Sequence, residues 1–145
     1  MKLSLLPPLF ILCSILLLSN SLPISAKVIF SPTVELCAVR KVEPASRFKL
    51  QLGPCDQAQQ WTYTPEKMLI ADGESLCLQA IGAGKAVGFG VLCHNTDSTW
   101  ELMTNSKEQF STRIPGSTLC LDLDPNNILI SNPCGQQPGQ WFTLR

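Results

Sequence analysis

The sequence predicts an all-β domain assembled from three copies of one unit. Cys37…Cys55…Trp61, Cys77…Cys93…Trp100 and Cys120…Cys134…Trp141 repeat one pattern, with first cysteines 40 and 43 residues apart and tryptophans 39 and 41 apart. Self-similarity at a fixed period of this size marks a repeat architecture. Between these anchors lie short β-rich runs separated by Gly, Pro, Asn and Asp, the pattern of an all-β barrel or sandwich. No amphipathic helical stretch is visible after residue 26.

Residues 1–26 stand apart from this pattern. Lys2 gives a short positive start, Leu3 to Leu18 is largely apolar, and Ser25 and Ala26 end the segment with small side chains. This reads as a secretory signal peptide cleaved after Ala26. The alternative, a membrane anchor, fits poorly. The apolar run is interrupted by Pro7 and Pro8, and a spanning helix needs about 20 apolar residues. The expected product is a secreted, extracellular domain over residues 27–145, with repeats at about 28–66, 67–108 and 109–145, and with no membrane partner after cleavage.

Cleavage removes Cys13, so seven cysteines become six. An even count in a small secreted chain implies a disulfide framework. Equivalent units should carry equivalent bridges, which selects Cys37–Cys55, Cys77–Cys93 and Cys120–Cys134. Each closes a loop for which the chain-entropy model gives about 3 kcal/mol. Losing Lys2 takes one cation from the eleven Lys and Arg that balance eleven Asp and Glu, leaving a net charge of −1. That argues against a nucleic-acid partner, which calls for a basic excess. The chain has no Asn-x-Ser/Thr sequon.

The strands follow in order. Lys49-Leu50-Gln51-Leu52 alternates polar and apolar before Gly53-Pro54. Met68-Leu69-Ile70 leads into Asp72-Gly73. Gly88-Phe89-Gly90-Val91-Leu92 runs into Cys93, Ile114 precedes Pro115-Gly116, and Asn127-Ile128-Leu129-Ile130 precedes Ser131-Asn132-Pro133. Each repeat closes on a tryptophan, and Trp61, Trp100 and Trp141 are expected to fill the shared core, with each indole N–H needing a partner.

Cys-Leu near the start of a unit and Gln-x-Trp near its end resemble the ricin B-type lectin family. Cys77-Leu78 and Cys120-Leu121-Asp122 match the opening motif, and Cys37-Ala38 is looser. Gln59-Gln60-Trp61 matches the closing motif, while Ser98-Thr99-Trp100 and Gly139-Gln140-Trp141 keep only the tryptophan. The resemblance implies a β-trefoil with pseudo-threefold symmetry. Trp61-Thr62-Tyr63-Thr64-Pro65-Glu66-Lys67 and Leu76-Cys77-Leu78-Gln79-Ala80 are also similar to the C-terminal trefoil module of secreted plant family 5 glycoside hydrolases. The chain would then be a freestanding relative of an accessory module, since nothing near the 250 residues of a hydrolase barrel is present.

The resemblance further implies how a sugar would bind. A binding repeat carries an aspartate two residues after the first cysteine, an aromatic ring just before the second, and an asparagine shortly before the tryptophan. A pyranose has an apolar face and a hydroxyl rim, so its pocket combines a hydrophobic wall with a few placed polar groups. The first repeat has Val39 and Gly53 at the first two positions and retains Gln59, with Phe48 as its nearest ring. The second has Gln79 and Val91, with Asp97 at the asparagine position and Phe89 able to move into the ring's role. The third keeps Asp122 but has Asn132 for the ring and Pro138 for the asparagine. No repeat is complete. Asp122, Asp124, Asn126, Asn127 and Asn132 are the candidate polar contacts, with Phe89 and Gln59 beside them. Asp122 has an alternative role as an acceptor for backbone N–H groups. Asp124-Pro125-Asn126-Asn127 is a turn sequence in its own right.

Catalysis is not expected. His94 is the only histidine, so no His-pair metal site can form, and no His-centred triad stands out. Asp122 and Asp124 could share a strand face, but acids in such a turn are solvated. Gly82-Ala83-Gly84-Lys85 lacks the spacing of a phosphate loop. No cofactor or metal is implied. Arg40, Lys41, Arg47 and Lys49 concentrate positive charge in the first repeat, as a solvated face or as a site for an acidic or sulfated glycan, where arginine forks onto the anion. The leading expectation is non-catalytic carbohydrate recognition, of a glycan or a cell-wall polysaccharide. The alternative is a trefoil that binds an extracellular protein, such as a protease inhibitor or defence protein, with Arg40-Lys41 and Arg113 as candidate P1-type residues. A purely structural module is the third reading.

Overall fold

The structure, a computed structural model, describes residues 26–42, 48–104, 108–114 and 117–145. The signal-peptide reading, Arg47 and the Pro115-Gly116 turn lie outside the described residues. The first repeat contributes β1 (Lys27–Ser31), β2 (Leu36–Val42), β3 (Phe48–Gly53) and β4 (Gln60–Tyr63). The second contributes β5 (Leu69–Ala71), β6 (Cys77–Gln79), a two-residue β7 (Lys85–Ala86), β8 (Gly88–Gly90) and β9 (Glu101–Thr104). The third contributes β10 (Glu108–Ile114), β11 (Ser117–Leu123), β12 (Leu129–Pro133) and β13 (Thr143–Leu144). The fold is all-β, and among the described residues the only helical turns are three short 3-10 segments, at Cys55–Gln57, Thr96–Ser98 and Pro138–Gln140.

Eight strands form one sheet in the order β3-β2-β1-β4-β5-β6-β8 with β13 added on β1, and β12-β11-β10-β9 form a second. The larger sheet curls into a nearly closed, barrel-like surface. β1 is its hub, pairing with β2 through Phe30↔Cys37, with β4 through Lys27↔Trp61 and with β13 through Ile29↔Leu144. The sheets are stitched together by backbone bonds, Trp100 N–H to Lys67 O at 2.7 Å and Val87 N–H to Leu129 O at 3.1 Å. All three disulfides pair as the repeat requires, Cys37–Cys55, Cys77–Cys93 and Cys120–Cys134.

The repeat is visible in the core as triplets of equivalent buried residues. Ile29, Leu69 and Phe110 come from the first strand of each unit. Ala38, Leu78 and Leu121 each follow the first cysteine, where alternation turns their side chains to the core face. The third triplet corrects the sequence reading. Trp61 and Trp100 are fully buried, but Trp141 is only half-buried and Phe142 occupies the core at 0 % exposure. Trp141 caps the 3-10 turn at Pro138–Gln140, as Thr99 caps the turn at Thr96–Ser98, so Phe142 is the counterpart of Trp100. Gln140-Trp141-Phe142 is therefore the closing motif of the third unit, with Phe in the place of Trp and Gln140 retained. The indole N–H groups also differ. Trp100 Nε1 donates to Leu78 O at 2.9 Å, whereas Trp61 Nε1 is buried without a partner among the described residues.

Two strand boundaries differ from expectation. β8 stops at Gly90, and Val91 and Leu92 lie outside it, 74 % and 67 % exposed. β12 starts at Leu129, because Asn127 takes a left-handed φ of 60° that ends the turn, a conformation asparagine tolerates better than most residues. Gly73 likewise has φ 72° in the expected Asp72-Gly73 turn.

Tyr63, in the first repeat, touches the other two. Its O–H donates to Trp100 O at 2.6 Å and its ring meets Phe110 edge-on at 6.4 Å. Burial pushes the phenol above its usual 10.0, partly offset by the Leu102 backbone. A raised folded pKa means this contribution is fully present below the unfolded value and is lost as pH rises through the folded one. Tyr63 is the only tyrosine in the chain, so absorbance at 295 nm should titrate above 10.0 in the folded protein and return to that value in urea. A native midpoint at or below the denatured one would contradict the packing.

Candidate functional site

The third-repeat residues do not form an open polar pocket. Asp122 lies on β11 at 7 % exposure, enclosed by its own neighbours. Oδ1 accepts the Leu123 amide at 2.7 Å, and Oδ2 accepts Asn132 Nδ2 at 3.1 Å and Gln140 Nε2 at 3.2 Å. Gln140, fully buried, also donates to Pro133 O, and its Oε1 accepts the Gly135 amide at 2.9 Å and Gln109 Nε2 at 3.3 Å. A buried carboxylate is tolerated when hydrogen bonds replace its lost hydration. Gly139 closes over it: a Cβ there would stand 2.9 Å from Asp122 Oδ1. Asp122, Asn132 and Gln140 thus form a network that braces the unit's closing turn. Cys120↔Asn132 pairing sets Asn132 in register to reach Asp122 across the strands.

Asp124, Asn126 and Asn127 build the β11–β12 turn. Asp124 Oδ1 accepts the amides of Asn126 at 2.8 Å and Ile128 at 2.9 Å. The turn docks on β3, where Asn126 O accepts Gln51 Nε2 and Asn127 O accepts the Leu52 amide. In the second repeat, Gln79 Nε2 donates to Asp97 Oδ2 at 2.8 Å, so acid and amide satisfy each other, in places exchanged relative to those that the lectin resemblance implies. In the first, Gln59 Nε2 donates to the adjacent Gln60 carbonyl and Val39 is buried.

The aromatic residues converge elsewhere. β3 and β8 are the two ends of the larger sheet, and where they approach they leave an open cleft of about 420 Å³. Phe48 and Lys49 line one side, and Ile81, Val87, Gly88 and Phe89 the other. The Phe48 ring meets Phe89 edge-on at 5.8 Å, and Phe89 stacks on Trp61 at 5.6 Å. Arg40 locks the pair: its guanidinium lies 3.7 Å from the Phe48 centroid and 4.6 Å from that of Phe89, and Nη1 donates to Glu74 Oε2 at 2.7 Å. Gly88 leaves room for Ile81, whose Cδ1 would stand 3.3 Å from a Cβ there. Lys49 is the one ionisable side chain among the described residues lining the cleft.

Of the sequence candidates, the structure brings Asp122 together with Asn132, and Asp124 with Asn126 and Asn127. It places Gln59 away in the first unit and sets only Phe89 in the cleft. Ile81 and the guanidinium of Arg40 were missed as neighbours of Phe89. The Gly residues flanking Phe89 were the available hint, since glycine in a short strand signals a close approach. Arg40 sits within a ladder strand and is pinned by rings and Glu74, so it does not present a protruding P1-type side chain. The Arg113 side chain lies outside the described residues. Among the described residues no group of three His, Cys, Asp or Glu is placed to hold a metal ion, and no helix is long and apolar enough to cross a membrane. The chain matches no protein-family model and no curated protein.

Proposed function

We propose that the chain is a secreted β-trefoil of ricin B-lectin type whose role is non-catalytic carbohydrate recognition, and that the sugar binds at the β3–β8 cleft. The observation that carries the reading is the pairing of Phe48 and Phe89 in an open cleft with one polar side chain at its rim, the combination of apolar wall and sparse polar groups that a pyranose requires. The trefoil is supported by four main strands per unit, three matched core triplets and three matched disulfides. An extracellular setting is supported by those disulfides, which persist in oxidising compartments. In this reading the family's acidic subsite has become structural, and recognition has moved to a groove between the first and second units.

The test is a glycan array probed with the disulfide-bonded protein and with Phe48→Ala. Selective binding that weakens at least tenfold in the variant, about 1.4 kcal/mol, is the expected result. Phe48 is half-exposed on an end strand, so the variant should keep its near-UV circular dichroism. Binding unaffected by the substitution would remove the cleft from the account. A second reading, a protein-binding trefoil, has its own observation in the exposed Val91 and Leu92. Silence across the array from folded protein would favour it.

A further inference from the structure

Arg40 fills the corner between the two rings of the cleft. The planes of Phe48 and Phe89 stand 73° apart, and the guanidinium lies over both at once, 3.7 Å from one centroid and 4.6 Å from the other. Cation–π attraction holds it there, and its planar shape suits an aromatic face as a compact ammonium does not. Glu74 tethers it through Nη1 at 2.7 Å. Glu74 is held in turn by the β5–β6 turn, where its amide donates to Ala71 O at 3.0 Å beside Gly73 at φ 72°. The Arg40 side chain is only 17 % exposed, so the protein's own cation closes the corner to a ligand.

That filling decides what the cleft can take. Phe89 is engaged by Trp61, on which it stacks with planes 16° apart, by the edge contact with Phe48 and by the guanidinium. Phe48 has one face under Arg40, which leaves the opposite face for a ligand. Two rings 73° apart cannot both lie on one plane, so the cleft does not fit the flat face of a packed polysaccharide. One ring face, with the apolar Ile81 and Val87 across from it, fits a single pyranose with equatorial substituents, whose axial C–H groups leave its face bare of hydroxyls. We propose that Arg40 is the positioning residue of the β3–β8 cleft, and that the corner it fills restricts the site to one such pyranose of a soluble glycan, stacked on Phe48. Contact groups bind well only when the residues behind them lock their geometry. The inference rests on the carbohydrate reading above and narrows it.

Cellohexaose and N-acetylchitohexaose, titrated calorimetrically into the disulfide-bonded protein, should bind. Microcrystalline cellulose and crystalline chitin, the same chains in packed form, should deplete the protein from solution no more than they deplete serum albumin. Arg40→Lys keeps the cation and loses the plane. It should weaken oligosaccharide binding about fivefold while unfolding in urea stays cooperative, because loosened rings must be ordered again on binding. Glu74→Ala should weaken binding similarly, and Glu74→Gln, which keeps an acceptor for Nη1, should recover most of the loss. A merely structural role would lower stability without separating lysine from arginine, or glutamine from alanine, in affinity. Packed polymer held as strongly as the soluble chain would overturn the single-face claim. Unchanged affinity in folded Arg40→Lys and Glu74→Ala would overturn the positioning role, and either result would leave the carbohydrate reading intact. Failure of both oligosaccharides to bind folded protein would overturn the inference too, and the glycan array then decides the carbohydrate reading separately. If Arg40→Lys does not fold, the Glu74 variants and the comparison of soluble with packed chains still decide.

Discussion

Phe142→Ala should lower the unfolding free energy by about 3–5 kcal/mol, the usual cost of emptying a buried aromatic site. Trp141→Ala, one residue earlier and a larger truncation, should cost only about 1–2 kcal/mol, because Trp141 is half-buried. Measured by urea denaturation with the disulfides intact, the two variants settle which ring belongs to the core triplet with Trp61 and Trp100. The physical basis is register. Gln140 is drawn fully inward to satisfy Asp122 and Gly135, which fixes the end of the 3-10 turn and delivers the second residue after it, Phe142, to the core. A reversed order of costs would show that the third unit packs in the register its tryptophan spacing suggests. Against a total stability of about 5–15 kcal/mol, either result is easily measured.

Asp122→Ala should be nearly as damaging. The substitution strips the acceptor from Asn132 Nδ2, Gln140 Nε2 and the Leu123 amide at once. Each buried donor left unpaired costs about 1–3 kcal/mol, and partial repacking should hold the sum to about 3–5 kcal/mol. Where the variant remains folded, its glycan affinity should equal that of the unaltered chain. This separates a structural aspartate from a sugar-binding one, since a ligand role predicts lost affinity with little lost stability. Denaturation and titration on the same preparation check both halves.

The all-β architecture and the disulfide pairing were readable because they depend on residues that recur: a cysteine at each equivalent position admits one consistent pairing, and Ala38, Leu78 and Leu121 follow their cysteines in every unit. Trp141 misled because a tryptophan is a conspicuous marker and a phenylalanine is not, although Gln140 beside Phe142 preserved the motif one step later. Asp122 was readable as a special residue but not as a buried one. Its burial depends on Gln140 and Gly139, which reach it only after the chain has turned through Cys134. The cleft was the least legible part. It is made by strands at opposite ends of one sheet, so Phe48 and Phe89 become neighbours only when that sheet curls. Arg40 and Glu74, 34 residues apart, carry no local pattern that announces their pairing. Of the cleft residues, Phe89 alone was among the sugar-contact candidates, as a ring displaced from the position that the lectin resemblance implies.

The most direct test of the account is where a bound saccharide touches the chain. Amide chemical-shift mapping of the ¹⁵N-labelled, disulfide-bonded protein, with the best ligand from the array, should move Phe48, Lys49, Gly88 and Phe89 and leave Leu123, Asn132 and Gly135 in place. Shifts centred on Leu123, Asn132 and Gly135, with the β3–β8 cleft unmoved, would return recognition to the third repeat and contradict the central claim.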